Sequence, residues 1–125
     1  MVMDMDGKRK RNTMGCVYVA IHSRMPDLVK IGWTNDLRSR LSVLNTSVPE
    51  NFEIKAAFET ADSGVEDIVK KRLERFQYGA KKTKEFYRCS PRDVRVIIDD
   101  LAVRGSVCGR FLTDVEIANA VRTTR

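Results

Sequence analysis

The chain has 125 residues, with 23 Lys and Arg against 17 Asp and Glu and a formal net charge of +6. That length suits one domain with a modest core, and no run approaches the roughly 18–20 apolar residues of a membrane span. The basic balance favours a polyanionic partner, nucleic acid first and an acidic membrane surface second, although solubility alone accounts for such a charge equally well.

Three widely spaced cysteines, Cys16, Cys89 and Cys108, accompany a single histidine. That argues against a Cys/His zinc site and reads as free thiols in a reducing compartment, Cys16 and Cys89 simply packing in apolar runs.

Residues 1–13 hold the run Lys8-Arg9-Lys10-Arg11 and read as a disordered basic arm, either floppy, phosphate-contacting or a nuclear-localisation signal. No apolar segment of the signal-peptide kind follows. A cytoplasmic chain, or a nuclear one in a eukaryote, is the expectation.

Residues 16–22 alternate as a strand, with Val17, Val19 and Ile21 on one face and Tyr18, Ala20 and His22 on the other. Pro26 marks a turn, and Leu28 to Gly32 make the second strand of a hairpin. Lys30 is out of phase with Val29 and Ile31, so a suitable register puts it on the face of Tyr18.

Thr34, Asn35 and Asp36 are helix-start residues. Leu37, Leu41 and Leu44 form the apolar stripe of the helix, and Arg40 lies about 60° from its centre at roughly 100° per residue. Arg40 is either a stem laid on the core or a cation positioned for use. After a loop around Pro49, Phe52, Ile54, Ala56 and Phe58 alternate with Glu53, Lys55, Ala57 and Glu59, which predicts a third strand with one wet face.

The spacing of Val65, Ile68, Val69, Leu73 and Phe76 predicts an amphipathic helix over 65–76. Glu66 sits at its first turn, where a carboxylate suits the helix dipole or serves as a metal ligand. Lys70, Lys71, Arg72, Arg75, Lys81, Lys82 and Lys84 form a dense basic region with Phe76 and Tyr78 among them. That is either a surface tracking a phosphate backbone or a solvated face.

Glu85 to Cys89 reads as a short strand or a buried extended segment. Ser90-Pro91 opens a helix with Val94, Ile97, Ile98 and Leu101 inward. Gly105 and Gly109 interrupt the chain, and Thr113-Asp114 caps a last helix carrying Val115, Ile117, Ala118 and Val121. The order is β-β-α-β-α-(β)-α-α: an α/β chain of the α+β kind with a small, mainly antiparallel sheet. Residues 14–104 form the main domain and 105–125 a C-terminal helical extension. No Walker loop, GxGxxG, HExxH or GxSxG occurs.

Val17-Tyr18, then Lys30-Ile31-Gly32, then Asp36-Leu37 and Arg40-Leu41, then Glu66 on a later helix stand in an order that resembles the GIY-YIG nuclease superfamily over about residues 15–101. MPDLVKIGWT and TSVPENFEI look closest to one branch, described as a phage-encoded DNA-binding domain and related to a meiotically up-regulated fungal protein domain. Glu85-Phe86-Tyr87 match that branch's acidic-aromatic-aromatic triplet.

The resemblance implies a three-stranded antiparallel sheet flanked by helices, with the site on one sheet face. It gives Tyr18 the activation or orientation of water, Arg40 the scissile phosphate and Glu66 one divalent ion, Mg²⁺ or Mn²⁺. Lys30 replaces the tyrosine that usually begins the second motif, as is usual in this branch. A cation there favours the phenolate of a neighbouring tyrosine. Lys70 stands where relatives of the branch often carry histidine.

The expectation is a metal-dependent DNA endonuclease with Tyr18, Lys30, Arg40 and Glu66 as its site. Lys70, Lys71, Arg75, Lys81, Lys82 and Lys84 would be DNA contacts, with His22, Gly32 and Thr34 close by. The alternatives are a non-catalytic DNA-binding module of the same fold and a protein-interaction domain. A partner contact or a homodimer interface is open for residues 106–125.

Overall fold

The computed structural model describes residues 14–46, 52–79 and 86–122. Strand β1 (Gly15–His22) runs through the middle of the sheet and pairs antiparallel with β2 (Val29–Thr34) across the expected turn. The turn closes through Met25 N–H donating to the His22 carbonyl at 2.9 Å and Leu28 N–H to the Met25 carbonyl at 3.1 Å. On the other side of β1 lies β3 (Phe52–Thr60).

The fold is α+β, but its sheet has five strands rather than three, in the order β4-β2-β1-β3-β5 with every pairing antiparallel. The additional strands are β4 (Phe86–Tyr87) and β5 (Arg110–Phe111). At two residues each they are too short to display an alternation, and they are the outermost strands in that order.

Besides these strands the described residues form four α-helices: α1 (Leu37–Leu44), α2 (Gly64–Arg72), α3 (Pro91–Val103) and α4 (Asp114–Val121). They make a layer on each side of the sheet. Val17, Val19, Val29, Ile31, Ala56 and Phe58 bury one face against Val65 and Val69 of α2 and Val94, Ile98 and Leu101 of α3. Cys16, Tyr18, Ala20, Phe52, Ile54 and Ala57 bury the other against Leu37 of α1 and Ile117 of α4. Burying an aliphatic side chain of this size is worth about 1.5–3 kcal/mol, so the two clusters supply most of the drive to fold.

Strand β3 corrects the expected wet face in part. Val19 pairs with Ala56 but Ala20 with Ile54, so Lys55 is an extra residue, a β-bulge. It reverses the phase. Phe52 and Ile54 face the Tyr18 layer and Ala56 and Phe58 the other; Glu53 and Lys55 are exposed as expected, while Ala57 is buried on the Tyr18 side.

The helix expected over 65–76 ends at Arg72 and tightens into a 3-10 turn, Glu74–Phe76. Tightening moves the next stripe position off the core, so Phe76 is exposed and Leu73 carries the end of the stripe; Ile68 is also exposed. Helix α3 starts as expected, with a capping box in which Ser90 Oγ accepts from Asp93 N–H and Asp93 accepts from Ser90 N–H.

The segment after residue 104 joins the sheet: β5 pairs with β3, Leu112 N–H donates to the Ala57 carbonyl at 2.9 Å, and α4 lies on α1 and β3. Val115 and Ala118, expected on its apolar face, are exposed because only the Ile117–Val121 side meets the sheet layer. Among the described residues no helix is long and apolar enough to cross a membrane.

Candidate nucleic-acid site

The register of the hairpin sets the face. Tyr18 pairs with Gly32 and Ala20 with Lys30, so Tyr18, Lys30 and Gly32 share one side of the sheet. Gly32 is there for space: a Cβ at that position would overlap the Tyr18 ring and hydroxyl. The phenol therefore lies flat across the glycine, and it is 2% exposed, covered by the layer that α1 and α4 build.

Lys30 lies at the partly open margin of the same face. Its Nζ stands 5.4 Å from the centroid of Phe86, the residue directly opposite it on β4. Phe86 leans on Phe52 (centroids 6.4 Å) and Phe52 meets His22 edge-on (4.9 Å). The cation thus ends a row of rings.

His22, expected on the Tyr18 face and close to the site, is buried, and its Nδ1 accepts from Arg24 N–H at 3.1 Å. That bond stabilises the hairpin turn. Nothing in the sequence around His22 distinguishes such a buried turn residue from a surface one.

The start of α1 is built by side chains of the expected stretch. Thr34 Oγ1 accepts from Asp36 N–H at 3.0 Å, and Asp36 caps the helix by accepting from Ser39 N–H at 3.1 Å. Leu37 is buried on the Tyr18 face, which fixes the rotation of the helix and leaves Arg40 half-buried at the flank.

Glu66 is brought to a different layer. It belongs to α2, whose Val65 and Val69 pack on the face opposite Tyr18. Its Oε2 is 2.8 Å from Lys70 Nζ, and both side chains are about four-fifths covered, at 21% and 20% exposure. The structure thus puts Tyr18, Lys30 and Gly32 on the face that α1 covers, and holds Glu66, on a helix of the other layer, in an ion pair with Lys70.

The carboxylate assigned to a divalent ion is engaged by the Lys70 ammonium, which a bound cation would have to displace. Among the described residues no group of three His, Cys, Asp or Glu converges, though a hydrated Mg²⁺ needs only one or two carboxylates.

The basic region is in part a real surface. Lys71, Arg72 and Arg75 are exposed, and Arg88, which the sequence reading passed over, adds to them from the end of β4. Its signal was available, a cation directly after the aromatic pair Phe86-Tyr87. Lys81, Lys82, Lys84 and Glu85 lie outside the described residues, as does the arm with Lys8 to Arg11.

The three thiols are free. Burial pushes Cys16 and Cys89 up to about 11, with Glu59 adding to the shift in the first and Asp93 in the second. Both are therefore protonated at neutral pH and pack, as expected, rather than act as nucleophiles.

The T5orf172 domain model matches residues 15–102, and the chain belongs to that family. No curated protein and no solved structure matches the chain.

Proposed function

We propose that this domain binds DNA through the phosphate backbone, on a fold of the GIY-YIG kind. The observation that carries the reading is the set of exposed cations Lys71, Arg75 and Arg88, beside an Arg72 that is paired with Asp100, on a chain of net charge +6. Cations of this sort contact phosphates, displace condensed counterions and bind with little regard to sequence.

Fluorescence anisotropy with a labelled duplex tests it. Affinity is expected to fall linearly with salt on logarithmic axes, and Lys71→Ala with Arg75→Ala is expected to make that slope shallower. A chain that holds neither duplex nor single-stranded DNA at physiological salt would overturn the reading in favour of a protein-interaction domain.

A second reading, a divalent-metal-dependent DNA endonuclease, is favoured by one specific observation: Tyr18, Gly32 and Lys30 share the face on which α1, the helix of Arg40, is packed. In that reading Arg40 steadies the phosphate and the Tyr18 hydroxyl orients a water. The water oxygen bonds to phosphorus as the bond to the leaving sugar oxygen breaks, the water giving up one proton to solvent and the leaving oxygen taking one from it. The Glu66–Lys70 pair and the burial of Tyr18 weigh against it.

Supercoiled plasmid, incubated with Mg²⁺ or Mn²⁺, separates the two. Nicking by wild type but not by Glu66→Ala would establish the endonuclease. Intact plasmid under both metals leaves binding as the function.

A further inference from the structure

The cationic rim carries two aromatic rings in the open. Phe76 is 42% exposed and Tyr78 44%. Neither is a loose loop side chain. Tyr78 N–H donates to the Phe86 carbonyl at 2.9 Å, Arg88 N–H donates to the Phe76 carbonyl at 2.8 Å, and Gln77 bridges to Tyr87. The segment is an added edge on β4, so its backbone is fixed to the sheet.

Gln77 stands between them at φ −59° and ψ 135°, near polyproline II, just after the 3-10 turn that Phe76 closes. The bridge sets Phe76 opposite Arg88 and Tyr78 opposite Phe86, one on either side of the Gln77–Tyr87 pair. Each ring has its own guanidinium: Arg75 lies 5.4 Å from the centroid of Phe76 and Arg88 5.1 Å from that of Tyr78.

A ring with a cation at its face, repeated two residues along a rigid edge, has a definite use. Water does not reward exposed aromatic surface, and an apolar partner would not want the arginines. A nucleic-acid strand satisfies both, since its bases stack on rings and its phosphates meet guanidinium groups. Paired bases have their faces covered by their neighbours in the duplex, so only unpaired bases can use the rings.

We propose that Phe76 and Tyr78, with Arg75 and Arg88, form a stacking platform for unpaired bases of single-stranded DNA. The proposal rests on the DNA-binding reading and names the strand form that this surface takes.

The test compares a fluorescein-labelled oligothymidine with a duplex of equal length, at several salt concentrations. For single strands, the pair Phe76→Ala and Tyr78→Ala is expected to lose about 10- to 100-fold in affinity, the usual yield of one or two base stacks. Its salt slope stays unchanged, because no cation is removed. Duplex affinity changes less than two-fold. Phe76→Tyr with Tyr78→Phe keeps both rings and is expected to keep wild-type affinity, which separates stacking from any general damage to the edge.

Single-strand binding that is unaffected by the alanine pair while duplex binding persists overturns the platform and leaves the DNA reading intact. Equal losses for both strand forms also overturn it. A wild type that binds neither form overturns both ideas. A dimer in sedimentation that the alanine pair dissociates, without change in DNA affinity, would assign the rings to a second copy instead.

Discussion

The layers on the two sides of the sheet are made of different materials. On the Val19 side most of the contacts are aliphatic and β-branched, Val17, Val29, Ile31, Val65, Val69, Val94 and Ile98, with Phe58 and Tyr87 among them. On the Tyr18 side the buried residues include Cys16, Ala20, Ala57, His22, Thr34 and a tyrosine laid over a glycine. Small and polar residues fill space less well than branched ones, but they leave room for groups that can do chemistry. One side holds the fold while the other keeps the side chains with functional potential, and the shared strands tie the position of the second to the first.

That division can be tested by breaking each side in turn. Ile98→Ala opens a cavity in the aliphatic layer and is expected to cost about 2–5 kcal/mol in chemical denaturation. A loss below 1 kcal/mol would mean that this layer is not what holds the sheet.

On the other side Gly32→Ala forces a methyl into Tyr18 and should cost about 1–3 kcal/mol through overpacking. In a Tyr18→Ala background the penalty should largely disappear, so a double-mutant cycle reads the contact directly. Additive costs would show that the glycine serves some other purpose.

The smaller effects compare like with like, because α3 and α4 both begin with a capping box, one in each layer. Ser90→Ala should cost about 1 kcal/mol by thermal denaturation. The box of α4 has an electrostatic addition. Arg110 bonds Glu116 through both guanidinium nitrogens at 2.9 and 3.0 Å, and Thr113 N–H donates to the same carboxylate.

Those bonds, the arginine's first, hold the Glu116 carboxyl down to about 2 from an ordinary 4.5. A folded value below the unfolded one means stability that is present in full above pH 4.5 and lost as pH falls toward 2. Glu116→Gln should therefore unfold more easily than wild type at pH 7, with the gap closing through that window. A gap that survives at pH 2 would rule out the charge as its source.

How much of this was legible depended on whether a residue's neighbours carried a signal. The hairpin was: period-two alternation put Tyr18 and Lys30 on one face, and the register agrees. The Ser90-Pro91 start was legible because capping chemistry is local. The bulge was not, because Ala56 and Ala57 are consecutive and equally small, so either fits the inward position. The 3-10 turn at Glu74–Phe76 was hidden because no glycine or proline interrupts the helical spacing there.

For the candidate site, the flank position of Arg40 could be read from its own helix. Which layer α2 joins, and hence where Glu66 ends up, could not, because it depends on the packing of α2 against β2 and α3. Strand β5 spans two residues and offered no pattern to read.

One consequence follows for where the unit of folding ends. The family match stops at residue 102, yet the outer edge of β3 is bonded by residues beyond it, through β5 and Leu112, and Leu41 and Leu44 share their apolar cluster with Ile117 and Val121. A chain cut at the family boundary would bare both an unpaired strand edge and an oily helix stripe. Edges of that kind recruit other chains. Such a fragment is expected to self-associate more readily than the longer chain, since residues 110–121 cover what the cut would bare.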